Sequence, residues 1–420
     1  ANNGNGATVF KNQVIAADTI HRHGLHAVRH ANGRDWWIIA AKIFSNRYYI
    51  ISLTPDGVQT KYQEIGPVDT GIVYGGEMVF SPDGTKLARF DAQDDLRIFD
   101  FDRCTGTLYN SQHIGIQDDA DIAILAGMGW SADSRFIYAA EDRRLLQFDT
   151  WDGDIAASKV IIAEADPPVC FLSGSIGIME LGPDGILYCH PFNGQKCLHR
   201  MIHPERAGLA CGFQQNYYQL EYPFADLPNF PNFRLGPIDG SPCDTLGLDN
   251  HPLAGWRYDA TGGLGVDFTS VSWYEPEQWW WDFGDPASGA ANSSTEKHPT
   301  HVFSAPGAYE VCLTVSNQYG SDTKCKTVWL AISSTDDGNG QEEVVTVYPN
   351  PTTGQLYWSG TGEQSVTIRV FNSLGQLVAE TTSNTGYANL ERLPDGLYQL
   401  QLSAQDNKVL ATQKLQIIRH

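Results

Sequence analysis

Charge, basic residues and long apolar runs are all scarce in this chain of 420 residues, and each shortage excludes a class of protein. Charged residues make up 18% and hydrophobic residues 42%, a balance that rules against long disordered regions. Lys and Arg number 28 against 49 Asp and Glu, a net charge of −21. A surface of that sign repels phosphate backbones, so nucleic acid is not an expected partner, while divalent cations are tolerated. No apolar run approaches the roughly 20 residues that a membrane-spanning helix needs. The chain does not open on a basic and then apolar signal-peptide pattern. It opens on Ala1-Asn2-Asn3-Gly4-Asn5-Gly6, which reads as a processed or truncated N-terminus if the protein is exported. Catalytic signatures are missing too: no phosphate-binding Gly-rich loop, no GxSxG elbow and no HExxH pair.

What the chain has in quantity is Gly (41), Pro (21), Tyr (18), Phe (18) and Trp (11). Aromatics fit pleated sheets and Gly and Pro fit turns, so the expected class is all-β with short strands. Its length suits two or three domains.

Residues 20 to 220 carry a repeat. Ser81-Pro82-Asp83-Gly84, Ser131-Ala132-Asp133-Ser134 and Gly182-Pro183-Asp184-Gly185 recur at intervals of 50 and 51 residues. Apolar strands flank each of them, as in Met78-Val79-Phe80 before and Lys86-Leu87-Ala88-Arg89-Phe90 after the first. A third strand follows, for instance Leu96-Arg97-Ile98-Phe99-Asp100-Phe101 with its period of two. Periods of 40 to 50 residues with strands throughout indicate a β-propeller. An earlier unit at 25–53 brings the number of blades to about four. Residues 221–254 lose the periodicity and read as a connection that closes or caps the propeller-like domain of 1–254.

Residues 255–332 alternate in a second way, with Val311, Leu313 and Val315 pointing inward as in a two-sheet sandwich. Residues 333–343 are polar, acidic and Gly-containing, the clearest linker in the chain. Residues 344–420 read as a small antiparallel sandwich of short alternating strands.

Eight cysteines, none in a CxxC spacing, fit disulfides in an oxidising compartment, with buried free thiols as the alternative. Cys312 and Cys325 flank the turn 317–320, and Cys189 and Cys197 flank Asn193-Gly194, so both pairs are expected to bridge hairpins. Cys211 with Cys243 and Cys104 with Cys170 are the remaining expectations.

Several groups invite a chemical reading. His21, His23, His26 and His30 are dense enough to suggest a metal, but strand-edge polar residues explain them better. Asp118, Asp119 and Asp121 are candidate calcium ligands, against a simpler reading as solvated turn residues; calcium is the one cofactor considered. In Trp279-Trp280-Trp281 the alternation puts Trp280 opposite its two neighbours, so one side of the run is core and the other is free to stack on sugars.

Resemblances add to this reading. Trp281-Asp282-Phe283-Gly284-Asp285, His301-Val302-Phe303 and Gly307-Ala308-Tyr309-Glu310-Val311-Cys312-Leu313-Thr314-Val315 resemble the polycystic-kidney-disease (PKD) domain, an immunoglobulin-like sandwich, with Pro286 as a departure after the second Asp. In that resemblance Asp282 and Asp285 are expected to bond the loop backbone, with calcium a minor option. Tyr348-Pro349-Asn350-Pro351-Thr352-Thr353-Gly354, Val370-Phe371-Asn372-Ser373-Leu374-Gly375-Gln376 and Pro394-Asp395-Gly396-Leu397-Tyr398 resemble the type A C-terminal sorting domain of type IX secretion substrates. The segments 30–37, 99–106 and 227–232 resemble large Bacteroidetes surface proteins that usually carry further propeller-like sequence upstream.

These resemblances imply export to the outer cell surface or medium and an interaction with the type IX outer-membrane machinery. They place sorting on Pro349, Asn350, Pro351, Gly354, Gly375, Gly396, Tyr398 and Lys414. The expected role is non-enzymatic adhesion, binding or scaffolding, with polysaccharide or protein ligands. The alternatives are a polysaccharide hydrolase or lyase built on the propeller, and a subunit of an extracellular assembly.

Overall fold

The computed structural model describes residues 11–69, 76–91, 95–116, 126–141, 143–165, 175–191, 194–220, 222–223, 227–330, 346–348, 352–359, 365–372, 376–404 and 409–417. They form two compact units. The first takes Ala1–Leu253, Val271–Pro276 and Asn317–Ser321, and the second takes the rest.

Four antiparallel sheets of four strands make up the first unit. They are β1 to β4 (Ile20–Arg29, Trp36–Lys42, Arg47–Thr54, Gly57–Glu64) and β5 to β8 (Gly76–Phe80, Lys86–Asp91, Asp95–Asp102, Thr107–Ile114), then β9 to β12 (Ala126–Trp130, Phe136–Glu141, Arg144–Asp149, Val160–Glu164) and β13 to β16 (Ile178–Leu181, Leu187–His190, Cys197–Met201, Phe213–Gln219). Within each sheet the strands neighbour one another in chain order, and the first strands pack in series, β1 on β5, β5 on β9 and β9 on β13. This is the blade arrangement of a propeller.

The repeated turn explains why each blade begins the same way. Ser81 N donates to Lys86 O at 2.9 Å and Gly84 N to Ser81 O at 2.8 Å, while the Ser81 hydroxyl donates to Asp83 at 2.6 Å. Ser131 and Phe136, and Gly182 and Ile186, repeat the backbone bond. The fourth turn position is left-handed each time, Gly84 at φ 71°, Ser134 at 63° and Gly185 at 77°.

Strand alternation then sends side chains to both faces. Leu87, Phe99 and Phe101 pack toward the first blade with Ile39, Tyr48 and Ile50. Ala88, Phe90, Leu96 and Ile98 pack toward the third with Met128, Trp130 and Phe148. Phe136, Tyr138 and Leu145 meet Met179, Leu187 and Met201 of the fourth. Inner strands are therefore buried on both faces; all six residues of β10 are buried. Burial of this kind is large: truncating a fully buried Phe such as Phe99 or Phe148 to Ala costs about 3–5 kcal/mol.

The second unit holds two sandwiches. In one, β17 (Trp256–Gly262), β18 (Gly265–Ser270) and β21 (Thr300–Val302) face a sheet ordered β20-β19-β22-β23, with β19 at Gln278–Asp282, β20 at Ser293–Ser294, β22 at Gly307–Asn317 and β23 at Gly320–Leu330. Trp256, Phe268, Trp281, Phe283, Phe303, Val311, Leu313 and Val315 fill the space between the two sheets. In the other, β24 (Thr346–Tyr348), β25 (Gln355–Ser359) and β28 (Tyr387–Asn389) form one sheet. Strands β26 (Val366–Phe371), β27 (Leu377–Ser383), β29 (Gly396–Ser403) and β30 (Val409–Ile417) form the second, ordered β27-β26-β29-β30. Leu356, Ile368, Val370, Leu400, Leu402 and Leu415 make the core of that module.

The disulfides correct three of the four expected pairs. Cys312 is bonded to Cys325, with Cα atoms 4.1 Å apart, across the β22–β23 hairpin. Cys104 is bonded to Cys243 instead of Cys170, so Cys211 does not pair with Cys243 either. Cys189 and Cys211 are buried free thiols. Cys197 is disulfide-bonded, but to a partner outside the described residues, where Cys170 also lies. The expected Cys189–Cys197 bridge fails on register: Cys189 pairs with His199 across β14 and β15, which leaves Cys197 two residues out of step.

Candidate functional sites

The turn-bearing side of the blades is held by the return connection. Asn232 Nδ2 donates to Pro82 O at 2.8 Å, Arg29 to Phe233 O at 3.0 Å and Ile238 N to Ala31 O at 2.8 Å. Arg103 donates to Gly236 O, and burial draws its guanidinium down to about 10. The neighbouring Cys104–Cys243 bond fixes the segment covalently to the β7–β8 turn.

Inside the blades, carboxylates are paired. Asp69 accepts from Arg89 at 2.7 Å and from Arg97, all three almost fully buried. His21 Nε2 lies 2.9 Å from Asp91, also buried. Glu77 accepts the Met128 backbone N–H at 2.6 Å, tying the second blade to the third. Lys86 binds Asp100, and Arg135 binds Asp149 through both its Nε and Nη2. Glu180 stands apart: burial pushes its carboxyl up to about 8. The sequence reading did not single out Asp69, Arg89 or Arg97. The available signal was Arg89, a charge on the same strand face as Leu87.

The histidines diverge. His26 accepts the Phe80 N–H at Nδ1 and lies against the Phe80 ring, with burial drawing its pKa down to about 4. His30 accepts the Asn32 N–H and lies against Trp37. Among the described residues no group of three or more His, Cys, Asp or Glu is placed to hold a metal. Asp118, Asp119 and Asp121 lie outside the described residues.

In the first sandwich, Asp282 accepts the Gly284 N–H at 2.9 Å, a bond to its own loop. Burial works to raise the Asp285 carboxyl, but the Ser304 hydroxyl and amide, with His301, outweigh it and hold it below the usual range. The His301 ring stacks on Phe283 at 4.2 Å. Pro286 starts the first of two short 3₁₀ turns that are separated by a kink at Gly289 and end at Asn292. Trp281 is wholly buried, Trp279 donates its indole N–H to Ser270, and Trp280 is 54% exposed.

In the second sandwich, Thr352 N donates to Gln416 O at 2.8 Å and Leu390 N to Gly354 O at 2.6 Å. Gly354 has φ 121°, and a Cβ there would stand 2.9 Å from Glu391 Cα, so only glycine fits. Gly396 pairs with Ile417, Tyr398 with Leu415 and Gln399 with Lys414 on the last strand. The Tyr398 hydroxyl donates to Pro394 O at 2.7 Å. Gly396 and Tyr398 lie on β29 and Lys414 on its partner β30, and Gly354 follows Thr352, which bridges to Ile417 of β30, while Pro349, Asn350, Pro351 and Gly375 lie outside the described residues.

Two family models match the chain: a PKD domain over residues 259–332 and a secretion system C-terminal sorting domain over residues 346–418. No curated protein matches. Similar solved structures include the PKD1 domain of Vibrio anguillarum Epp, at 26% identity over 20% of this chain and 95% of that one, TM-score 0.17. Another is PorZ, a surface component of the type-IX secretion system of Porphyromonas gingivalis, at 12% identity over 94% of this chain and 70% of that one, TM-score 0.24. A third is the extracellular domain of the putative two-component system BT4673 of B. thetaiotaomicron, at 10% identity over 96% of this chain and 58% of that one, TM-score 0.29. The strand architecture and the two matched modules define a modular, all-β exported protein. More particularly, the secretion system C-terminal sorting domain over residues 346–418 indicates export to the cell surface or extracellular space.

Proposed function

We propose that this protein is a non-enzymatic binding or scaffold protein of the outer cell surface. The observation that supports this is the pairing of propeller carboxylates, Glu180 excepted. Asp69, Asp91, Asp100 and Asp149 are each committed to a basic side chain, and Glu77 to a backbone N–H. A glycoside hydrolase needs two carboxyl groups facing one cleft, free to hold and release protons. The test is release of reducing ends from polysaccharides by the purified full chain. No release is expected, and release abolished by a single carboxylate variant overturns the reading. For the exported location, deletion of 344–420 is expected to retain the protein inside the cell; undiminished surface display is the contrary result.

One observation favours assembly as a second reading. Leu25 on β1 and Leu53 on β3 of the first blade are 54% and 42% exposed, whereas Met78 and Phe80 on β5, Phe101 on β7 and Met128 and Trp130 on β9 of the next two blades are 5% exposed or less. Light scattering across a concentration series should then show association, and a monomer at every concentration removes this reading.

A further inference from the structure

The outer face of the β20-β19-β22-β23 sheet carries one uncovered ring. Trp280 is 54% exposed, while its neighbours in sequence turn toward the core. Its cross-strand partner is Thr314, whose Oγ1 lies 2.8 Å from Thr323 Oγ1 on the next strand. One step along, Gln278 faces Ser316, which donates its hydroxyl to Gln278 Oε1 at 3.3 Å. One step the other way, Asp282 faces Cys312 and its bond to Cys325. In this register the indole is flanked by hydroxyls and an amide on one side and by Asp282 and the Cys312–Cys325 disulfide on the other, and it remains 54% exposed.

An exposed indole adds nothing to the sandwich core, which Trp281 and its partners already fill. Its open face suits a flat apolar surface, and the row of Thr314, Thr323 and Gln278 suits a ligand rimmed by hydroxyls. A pyranose ring has both properties: a face of C–H bonds and an edge of hydroxyl groups. The net charge of −21, with Asp282 in the adjacent row, disfavours a polyanionic glycan.

We propose that Trp280, Gln278, Thr314 and Thr323 form a subsite for a sugar residue of a neutral polysaccharide. The sugar stacks on Trp280 and turns its hydroxyls to the three polar side chains. This deepens the binding reading above and rests on it. A single stacked ring with a few solvated hydrogen bonds gives weak affinity, on the order of millimolar for one site.

The test is affinity electrophoresis of the full chain in gels containing hydroxyethylcellulose, xyloglucan or galactomannan, with alginate as the polyanionic control. At least one neutral gel should retard the protein and alginate should not. Trp280→Ala is expected to weaken that retardation at least tenfold with the melting temperature unchanged, and Trp280→Phe to restore part of it. Thr314→Val with Thr323→Val should weaken it while the ring stays in place. Retardation that survives Trp280→Ala overturns the subsite and leaves the binding reading standing. Absence of retardation in every neutral gel overturns the subsite as well, and leaves binding to a protein ligand to be judged on its own. Retardation by alginate equal to that by the neutral gels overturns the assigned ligand class.

Discussion

Asp69→Asn tests whether buried charge pairing holds the first two blades together. Arg89 on β6 and Arg97 on β7 are direct register partners, so two guanidinium groups face each other across a strand pair. Like charges opposite one another destabilise a sheet unless something neutralises them. Asp69, from the segment between β4 and β5, accepts from both, and the exposures of the three side chains are 3%, 3% and 2%. Asn keeps the shape and removes the charge, leaving two cations where water cannot reach. Breaking a buried pair in this way costs about 3–5 kcal/mol. For a domain of this size each kcal/mol moves the melting temperature by roughly 2–4 °C, so a fall on the order of 10 °C is expected. Scanning calorimetry of the full chain reads it, with the transition of the second unit as internal control. Asp149→Asn is the matched comparison: Arg135 and Asp149 are 37% and 17% exposed, and a pair near the surface contributes no more than about 1 kcal/mol. Equal small shifts for both variants refute the assignment of Asp69 as the neutralising group.

Two further predictions concern the first unit. Cys104→Ser removes a link between residues 139 apart and is expected to cost about 4–5 kcal/mol by chain entropy, read as a lower denaturation midpoint for this unit alone. An unchanged midpoint shows that the connection is held without the bond. The pH dependence should bend at both ends. Burial holds His26 near 4, below its ordinary 6.5, so its contribution is full above 6.5 and is lost as pH falls through that value toward 4. Burial holds Glu180 near 8, above its ordinary 4.5, so stability declines as pH rises from 4.5 to 8. His26→Gln and Glu180→Gln should each flatten one limb of a stability curve measured by denaturant titration; a limb unchanged by its own variant contradicts the assignment.

Local chemistry made much of the fold legible. The Pro-Asp-Gly turns were visible because each closes over four or five residues with its own side-chain bonds, independent of distant sequence. The Cys312–Cys325 bridge was legible for the same reason: Thr314 meets Thr323 in a tight hairpin, so the cysteines two residues out must meet as well. Cys189 and Cys197 looked equally symmetrical about Asn193-Gly194. There the core positions Leu187 and Met201 set the register, and the loop absorbed the two-residue difference. Burial then pushes the Cys189 thiol up to about 12, which makes it a packing residue.

The sequence by itself determined the class, the module order and the export signal, since each depends on contacts between residues close together or on a motif within one module. Only the tertiary structure decided the Cys104–Cys243 bond, the Asp69 cluster and the exposure of Trp280. The first two join residues brought together by the return of 221–254 and the stacking of one blade on another. The third depends on which of two faces the sandwich buries: alternation established that Trp280 opposes its neighbours, and packing established that it is the one left outside.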